Sequence, residues 1–178
     1  GAGSTAMGYD GTTASGNYST ATGWATNATG ESSMAMGRQT LASGTSSTAM
    51  GQHSEATGHY STATGYESDA TGKLSTAMGN YTKAAHYATV SMGQYNLKGS
   101  TLTGNQSATV HHDDNTALVV GNGESGALSD AFYLTFGGDA HFAPLIDIKC
   151  LSTIRLIRPL INPIDLIGMQ KTGAARGQ

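Results

Sequence analysis

The chain has 178 residues, enough for one or two domains, and only 12% of them are charged. Its net charge is −3 at pH 7, with four Lys/Arg against ten Asp/Glu in residues 1–142, so nothing in the body is basic enough to track phosphates, and nucleic acid is excluded as an expected partner. The single cysteine, Cys150, builds no disulfide framework within the chain, and no run of eighteen or more uncharged apolar residues offers a spanning helix.

Cys150 is open to two readings, a buried inert thiol or a pairing between subunits. The chain opens at Gly1 with neither a start Met nor a signal peptide. A processed product or an excised piece is therefore expected, with any membrane anchor outside this sequence.

Residues 1–16 carry two imperfect phrases, Ala6-Met7-Gly8 and Ala14-Ser15-Gly16, eight residues apart. An enlarged turn near Asp10-Gly11 is expected to absorb the extra residue. From Asn17 to Gly93 a seven-residue phrase, x-x-[Ser/Thr]-x-Ala-x-Gly, is repeated eleven times, and only His86 interrupts the glycines. A fixed period of this kind decides the architecture.

A heptad raises the possibility of a coiled coil, which requires large apolar residues at two heptad positions. Here the constant residues are Ala, Gly and a hydroxyl, and each helical Gly costs roughly 1 kcal/mol relative to Ala. A helix is excluded. Gly is instead expected to mark turns between short extended pieces, because it adopts positive φ without strain.

Two phrases make one coil. The residue before Gly is Thr22, Met36, Met50, Thr64, Met78 and Met92 in one set. In the other set it is Ser15, Thr29, Ser43, Thr57, Thr71 and Ala85. The residue before Ala is Met34, Thr48 or Val90 in the first set and Asn27, Leu41, Glu55, Asp69 or Lys83 in the second. The repeat is thus fourteen residues long, packed on one side and wet on the other. Alanines make a thin core, with burial worth about 0.8 kcal/mol per CH₂. Ordering a single chain is costly, so an obligate oligomer meeting along the Met/Val/Thr side is expected. The residues expected to pack there are Met34, Met36, Met50, Met78, Val90 and Met92.

The phrases Ser33-Met34-Ala35-Met36-Gly37, Thr48-Ala49-Met50-Gly51 and Val90-Ser91-Met92-Gly93 resemble the head repeat of YadA-like trimeric autotransporter adhesins. The resemblance covers roughly half the chain and recurs in register. It implies a left-handed parallel β-roll, a homotrimer, and attachment to host or environmental surfaces through an extracellular matrix protein, a glycan or another surface receptor. It also implies a cell-surface location, attached to an outer membrane. The chain departs from the family in placing Thr where Val or Ile is usual.

Beyond Gly93 the phrase dissolves. His111-His112-Asp113-Asp114-Asn115 reads as a solvated polar loop and not a metal site, since adjacent side chains of an extended segment diverge. The remaining histidines, His53 and His59 among them, are expected to be exposed. Ala117–Val120 reads as a buried strand. Gly121-Asn122-Gly123-Glu124-Ser125-Gly126 matches the dinucleotide fingerprint formally, but that motif requires a βαβ unit. Ala131–Phe136 is β-prone and Gly137-Gly138-Asp139 is a turn, so strand–turn–strand is the simpler expectation. This segment resembles a module found below such heads and in phage fibres, with Asp130 replacing the usual Asn.

From Ala143 the composition changes, and every isoleucine lies beyond Leu145. Pro159 and Pro163 preclude a helix through that region. A hydrophobic trimerisation plug or cap with a flexible tail is expected, with a membrane-surface segment as the other reading. The domain expectation is therefore all-β: head repeats over 1–104, a β module over 105–142, and the hydrophobic segment over 143–178.

Three functions fit. The first is an adhesin head whose exposed aromatics Tyr18, Trp24, Tyr60, Tyr66 and Tyr81 serve as ligand anchors or simply shield turns. The second is a segment of a phage fibre or another extracellular fibre, and the third is an ice-binding solenoid with a Thr face that methionines interrupt. No cofactor is implied, and Ser and His abundance set by a repeat points to no catalysis. The repeat has no constant Asp, unlike calcium-binding nonapeptide rolls, and its period is not that of the hexapeptide acyltransferases.

Overall fold

The computed structural model describes residues 1–143, where every regular element is a strand. Five-residue strands alternate with two-residue strands along the repeat. The long ones are β1 (Thr5–Tyr9), β3 (Thr20–Trp24), β5 (Met34–Arg38), β7 (Thr48–Gln52), β9 (Thr62–Tyr66), β11 (Thr76–Asn80) and β13 (Val90–Gln94). The short ones are β2 (Thr13–Ala14), β4 (Asn27–Ala28), β6 (Leu41–Ala42), β8 (Glu55–Ala56), β10 (Asp69–Ala70) and β12 (Lys83–Ala84). Long strands stack in parallel in chain order, and the short ones form a second sheet of six.

The architecture is a parallel β-solenoid with two phrases per coil. Register is kept from coil to coil: Ala21 pairs with Ala35 and Ala35 with Ala49, while Asn27 pairs with Leu41 and Leu41 with Glu55. The expected enlarged turn is present. Thr5 pairs with Thr20 but Thr13 pairs with Asn27, so the extra residue lies between Tyr9 and Thr13, at Asp10 and Gly11.

Side chains alternate across each strand. The alanines from Ala21 to Ala84 point inward and are fully buried, with the phrase hydroxyls packed beside them. Ser19, Ser33, Ser61 and Ser75 donate to the carbonyl three residues back at 2.7 Å. Ser54 and Ser68 instead donate across to the Gly65 and Gly79 carbonyls at 3.0 Å.

The glycines act differently from expectation. Gly23, Gly37, Gly51, Gly65 and Gly79 lie within the long strands, not in turns. A Cβ on Gly37 would come within 3.0 Å of three backbone atoms of Gly51 or nearly so, the carbonyl oxygen being nearest. Gly30 and Gly44 are equally crowded by the next coil without adopting positive φ. Glycine is needed because one coil's backbone lies against the next and, in the long strands, also because φ there is 111° to 136°.

The left-handed turn position falls two residues after the phrase end, and it is occupied by residues with side chains. Tyr18, Ala25, Ser32, Gln39 and their equivalents up to Tyr95 have φ between 45° and 63°. Such a backbone costs about 1 kcal/mol for an L-residue. It is offset by an amide donated to the coil below, as from Gln39 to Trp24 and from Tyr60 to Thr45, both at 2.8 Å.

The last coil is closed by the segment after Gln94. Asn96, 1% exposed, stands in for a missing strand: its Oδ1 accepts the Lys83 amide at 2.8 Å and its Nδ2 donates to the Lys83 carbonyl at 2.9 Å. His86, expected to be exposed, is 1% exposed. It replaces Gly in a column that has no further coil above it, so a ring can enter. Its Nδ1 accepts the Thr116 amide at 2.9 Å and its Nε2 lies 2.8 Å from the Thr101 carbonyl. With Nδ1 accepting, the Nε2 proton is donated to Thr101. Burial lowers the His86 pKa, with a smaller push from Lys98, and only the Thr101 bond opposes them.

β14 (Thr116–Asn122) then joins the long sheet in parallel with β13, pairing Val90 with Leu118, and β15 (Asp130–Thr135) and β16 (Ala140–Phe142) extend it antiparallel. Residues 105–142 thus continue the roll's own sheet. Within Ala117–Val120 only Val119 is buried, because it takes the inward column, while Leu118 and Val120 face out. Gly121–Gly126 joins two antiparallel strands, as strand–turn–strand requires. The His111–Asn115 stretch is a loop, but Asn115 is fully buried because its amide pairs both backbone groups of Ser107. The expected plug or cap, with Cys150, lies outside the described residues apart from Ala143.

Candidate functional site

Two surfaces of the roll carry unusual side chains. The first is the outer face of the long sheet. There the register builds one column of Thr20, Met34, Thr48, Thr62, Thr76 and Val90. A second column holds Thr22, Met36, Met50, Thr64, Met78 and Met92. All six residues expected to pack between subunits therefore lie on one face. Met34 and Met78 are 39% and 40% exposed in the single chain, while Met36, Met50, Val90 and Met92 are half-buried by their neighbours.

Sequence reasoning missed the ends of these columns. Met7 begins the second column, 62% exposed, and Leu118 and Val120 continue the two columns past β13. The signal was present, since Leu118-Val119-Val120-Gly121 repeats the outward–inward–outward–Gly order with Val in place of Ala.

The second surface is the edge where the long strands end and the chain turns toward the short sheet. The Tyr81 and Tyr95 rings stack 4.6 Å apart, 12° from parallel, and Tyr66 meets Tyr81 edge-on at 5.4 Å. His53 meets Tyr66 edge-on at 6.3 Å. One coil's spacing, about 4.8 Å, is also a stacking distance, so aromatics placed at this slot in successive coils form a ladder. Beside it lies a recess of about 370 Å³ lined by His53, Glu55, Glu67, Asp69, Tyr81 and Lys83. Lys83 pairs with Asp69 at 3.1 Å. Hydrogen bonding to Tyr66, then to the Glu67 carboxylate, raises the Tyr81 pKa above the usual phenol value.

Of the five aromatic candidates, the structure brings together Tyr66 and Tyr81 and adds His53 and Tyr95 to them. Trp24 stands apart on the same edge, covered by the Arg38 guanidinium at 4.5 Å from its ring centre. Tyr18 and Tyr60 lie on the other turn, 67% and 54% exposed. Tyr95 and His53 are readable only once the fourteen-residue coil is laid out in columns.

Among the described residues no three His, Cys, Asp or Glu side chains gather as a metal-binding group, and no helix is long and apolar enough to cross a membrane. No curated protein and no solved structure matches the chain. The family model for the YadA head domain repeat (2 copies) matches residues 1–26, 14–40, 28–54, 42–68 and 70–96. Its successive matches advance by coils of the roll, and together they span more than half of the chain. The chain belongs to the YadA head domain repeat family.

Proposed function

We propose that this chain is the head segment of a trimeric surface adhesin, a binding protein that attaches its bearer to host or environmental surfaces. One observation carries the reading. A solenoid with a thin alanine core presents, on one face, two unbroken columns of Met, Val, Leu and Thr side chains that carry almost no charge, ending at Leu118 and Val120. Exposed methionines gathered with threonine methyls on one uncharged face mark an association surface. Three copies meeting along it would bury the methionines and leave the short sheet and both turn edges facing outward.

Family membership supports an extracellular or cell-surface location. Solenoids of this kind are typically non-enzymatic, and the repeat offers no nucleophile–base pairing on which catalysis would rest. Attachment is tested by coating plates with collagen, fibronectin and a glycan array and measuring retention of the purified protein. Retention on at least one surface, abolished when the trimer is dissociated, is the expected result. Equal, weak retention on every surface and on bare plastic would count against it.

A further inference from the structure

The aromatic edge from His53 to Tyr95 has a composition that the repeat does not demand. His53, Tyr81 and Tyr95 share a slot that elsewhere carries Ala25, Gln39 and Glu67, and Tyr66 stands one residue before it, in the column of Gln52 and Asn80. Three carboxylates, Glu55, Glu67 and Asp69, line the recess beside the ladder, against one cation, Lys83, which Asp69 already engages. The recess is therefore net negative, and the neighbouring recess of about 350 Å³, which Tyr95 also lines, shares Tyr81 and Lys83 with it.

The roll shows on itself what this edge accepts. Trp24 and Arg38 are register neighbours, and the guanidinium lies over the indole. Tyr66 is flanked in register by Gln52 and Asn80, so its own column supplies no cation. The same aromatic position thus has a cation from its own column at one level and none at another, where Tyr66 meets Tyr81 at the rim of the carboxylate-lined recess. A guanidinium stacks on an aromatic face and pairs with a carboxylate at the same time, which an ammonium does less well.

We propose that the His53–Tyr95 edge is a docking groove for an extended, arginine-bearing peptide segment of a partner. An arginine side chain seats against Tyr66 and Tyr81, with Glu67 and Glu55 supplying its counter-charges. This deepens the adhesin reading by naming the chemistry of the partner. The tyrosines give contact area with few rotors to fix, and the carboxylates give selection for charge.

The test uses the intact chain and a fluorescent peptide with three arginines spaced by Gly-Ser, set against its citrulline twin, which keeps the shape and removes the charge. Neutral oligosaccharides form a third arm. Binding of the arginine peptide should weaken at least tenfold with citrulline, with Glu55→Gln combined with Glu67→Gln, and with Tyr81→Ala, and should weaken as salt rises. The double Gln variant keeps size and shape, so it remains informative if Tyr81→Ala perturbs the turn. Equal binding of the citrulline peptide would overturn the proposal. So would oligosaccharide binding that Tyr81→Ala abolishes. If the protein attaches to a coated surface and the double Gln variant attaches equally well, the groove is wrong and the adhesin reading stands. If the peptide binds as described but the protein attaches to no surface, the groove stands and the adhesin reading fails.

Discussion

The Asn96 side chain pairs both backbone groups of Lys83, accepting the amide at 2.8 Å and donating to the carbonyl at 2.9 Å. One side chain thereby closes the open edge of the short sheet, which would otherwise present unpaired strand groups. Asn96→Ala leaves the Lys83 amide without a protein partner, while the carbonyl keeps the Ser91 hydroxyl at 2.9 Å, and is expected to cost about 1–3 kcal/mol. Asn96→Asp is expected to cost more, because a carboxylate would then face the carbonyls of Lys83 and Lys98 that the amide now serves. Urea midpoints of the three proteins check the order.

The two backbone roles within a phrase should separate on substitution. Gly44→Ala, at a glycine without positive φ, places a Cβ about 2.0 Å from the Gly58 carbonyl oxygen, so adjacent coils must move apart. A loss of several kcal/mol, or failure to fold, is expected, about the scale of a severe core substitution. Ser46→Gly acts at a left-handed residue, φ 53°, and removes side-chain strain there. It should be neutral or stabilising by up to about 1 kcal/mol. Thermal melts of the pair decide whether close approach or turn conformation is what the phrase glycine serves.

That distinction also shows how far the sequence could be read. Period, strand alternation, the fourteen-residue coil and the Met/Thr face were all legible, because each repeats and so reveals its environment many times. The role of the glycines was not. Gly37 in isolation reads as a turn former, and the carbonyl that forbids its Cβ belongs to Gly51, in the next coil. His86, Asn96 and Asn115 were illegible for the opposite reason. Each occurs once, where the regular phrase is broken or has ended, and has partners 8 to 30 residues away. The aromatic ladder falls between the two cases: Tyr66 and Tyr81 were singled out, but Tyr95 joins them only through the register.

Asp130 marks the one departure from the module that the sequence resembles. Its two carboxylate oxygens accept the Leu97 and Lys98 amides, each at 2.8 Å. An asparagine has one acceptor oxygen and would leave one of these amides without its partner. Asp130→Asn should destabilise the closing segment by about 1 kcal/mol and Asp130→Ala by more. Hydrogen exchange at Leu97 and Lys98 should quicken while that of the Ala21–Ala77 strands stays unchanged.

His86 should make the closing segment sensitive to acid. Its pKa is lowered in the fold from 6.5, chiefly by burial, so the unfolded chain binds a proton first as pH falls. Stability is fully present above pH 6.5 and declines as pH drops below it, with a slope of at most about 1.4 kcal/mol per pH unit, until the folded ring also protonates. Protonation of Nδ1 also ends its acceptance of the Thr116 amide. His86→Gln keeps one acceptor and one donor without a titratable ring, so its stability difference from the parent should shift over that range. An unchanged difference would contradict the assignment.

The most direct measurement of the central claim is the mass in solution, by light scattering, of this chain and of its Met50→Asp/Met78→Asp variant. Both methionines stand in the outer column of the long sheet, and burying several carboxylates there would be severely unfavourable. A mass near three times 18.1 kDa for the parent and near 18.1 kDa for the variant is expected at neutral pH. A stable monomeric parent, or a variant that stays trimeric, would contradict the placement of the three chains along the methionine face.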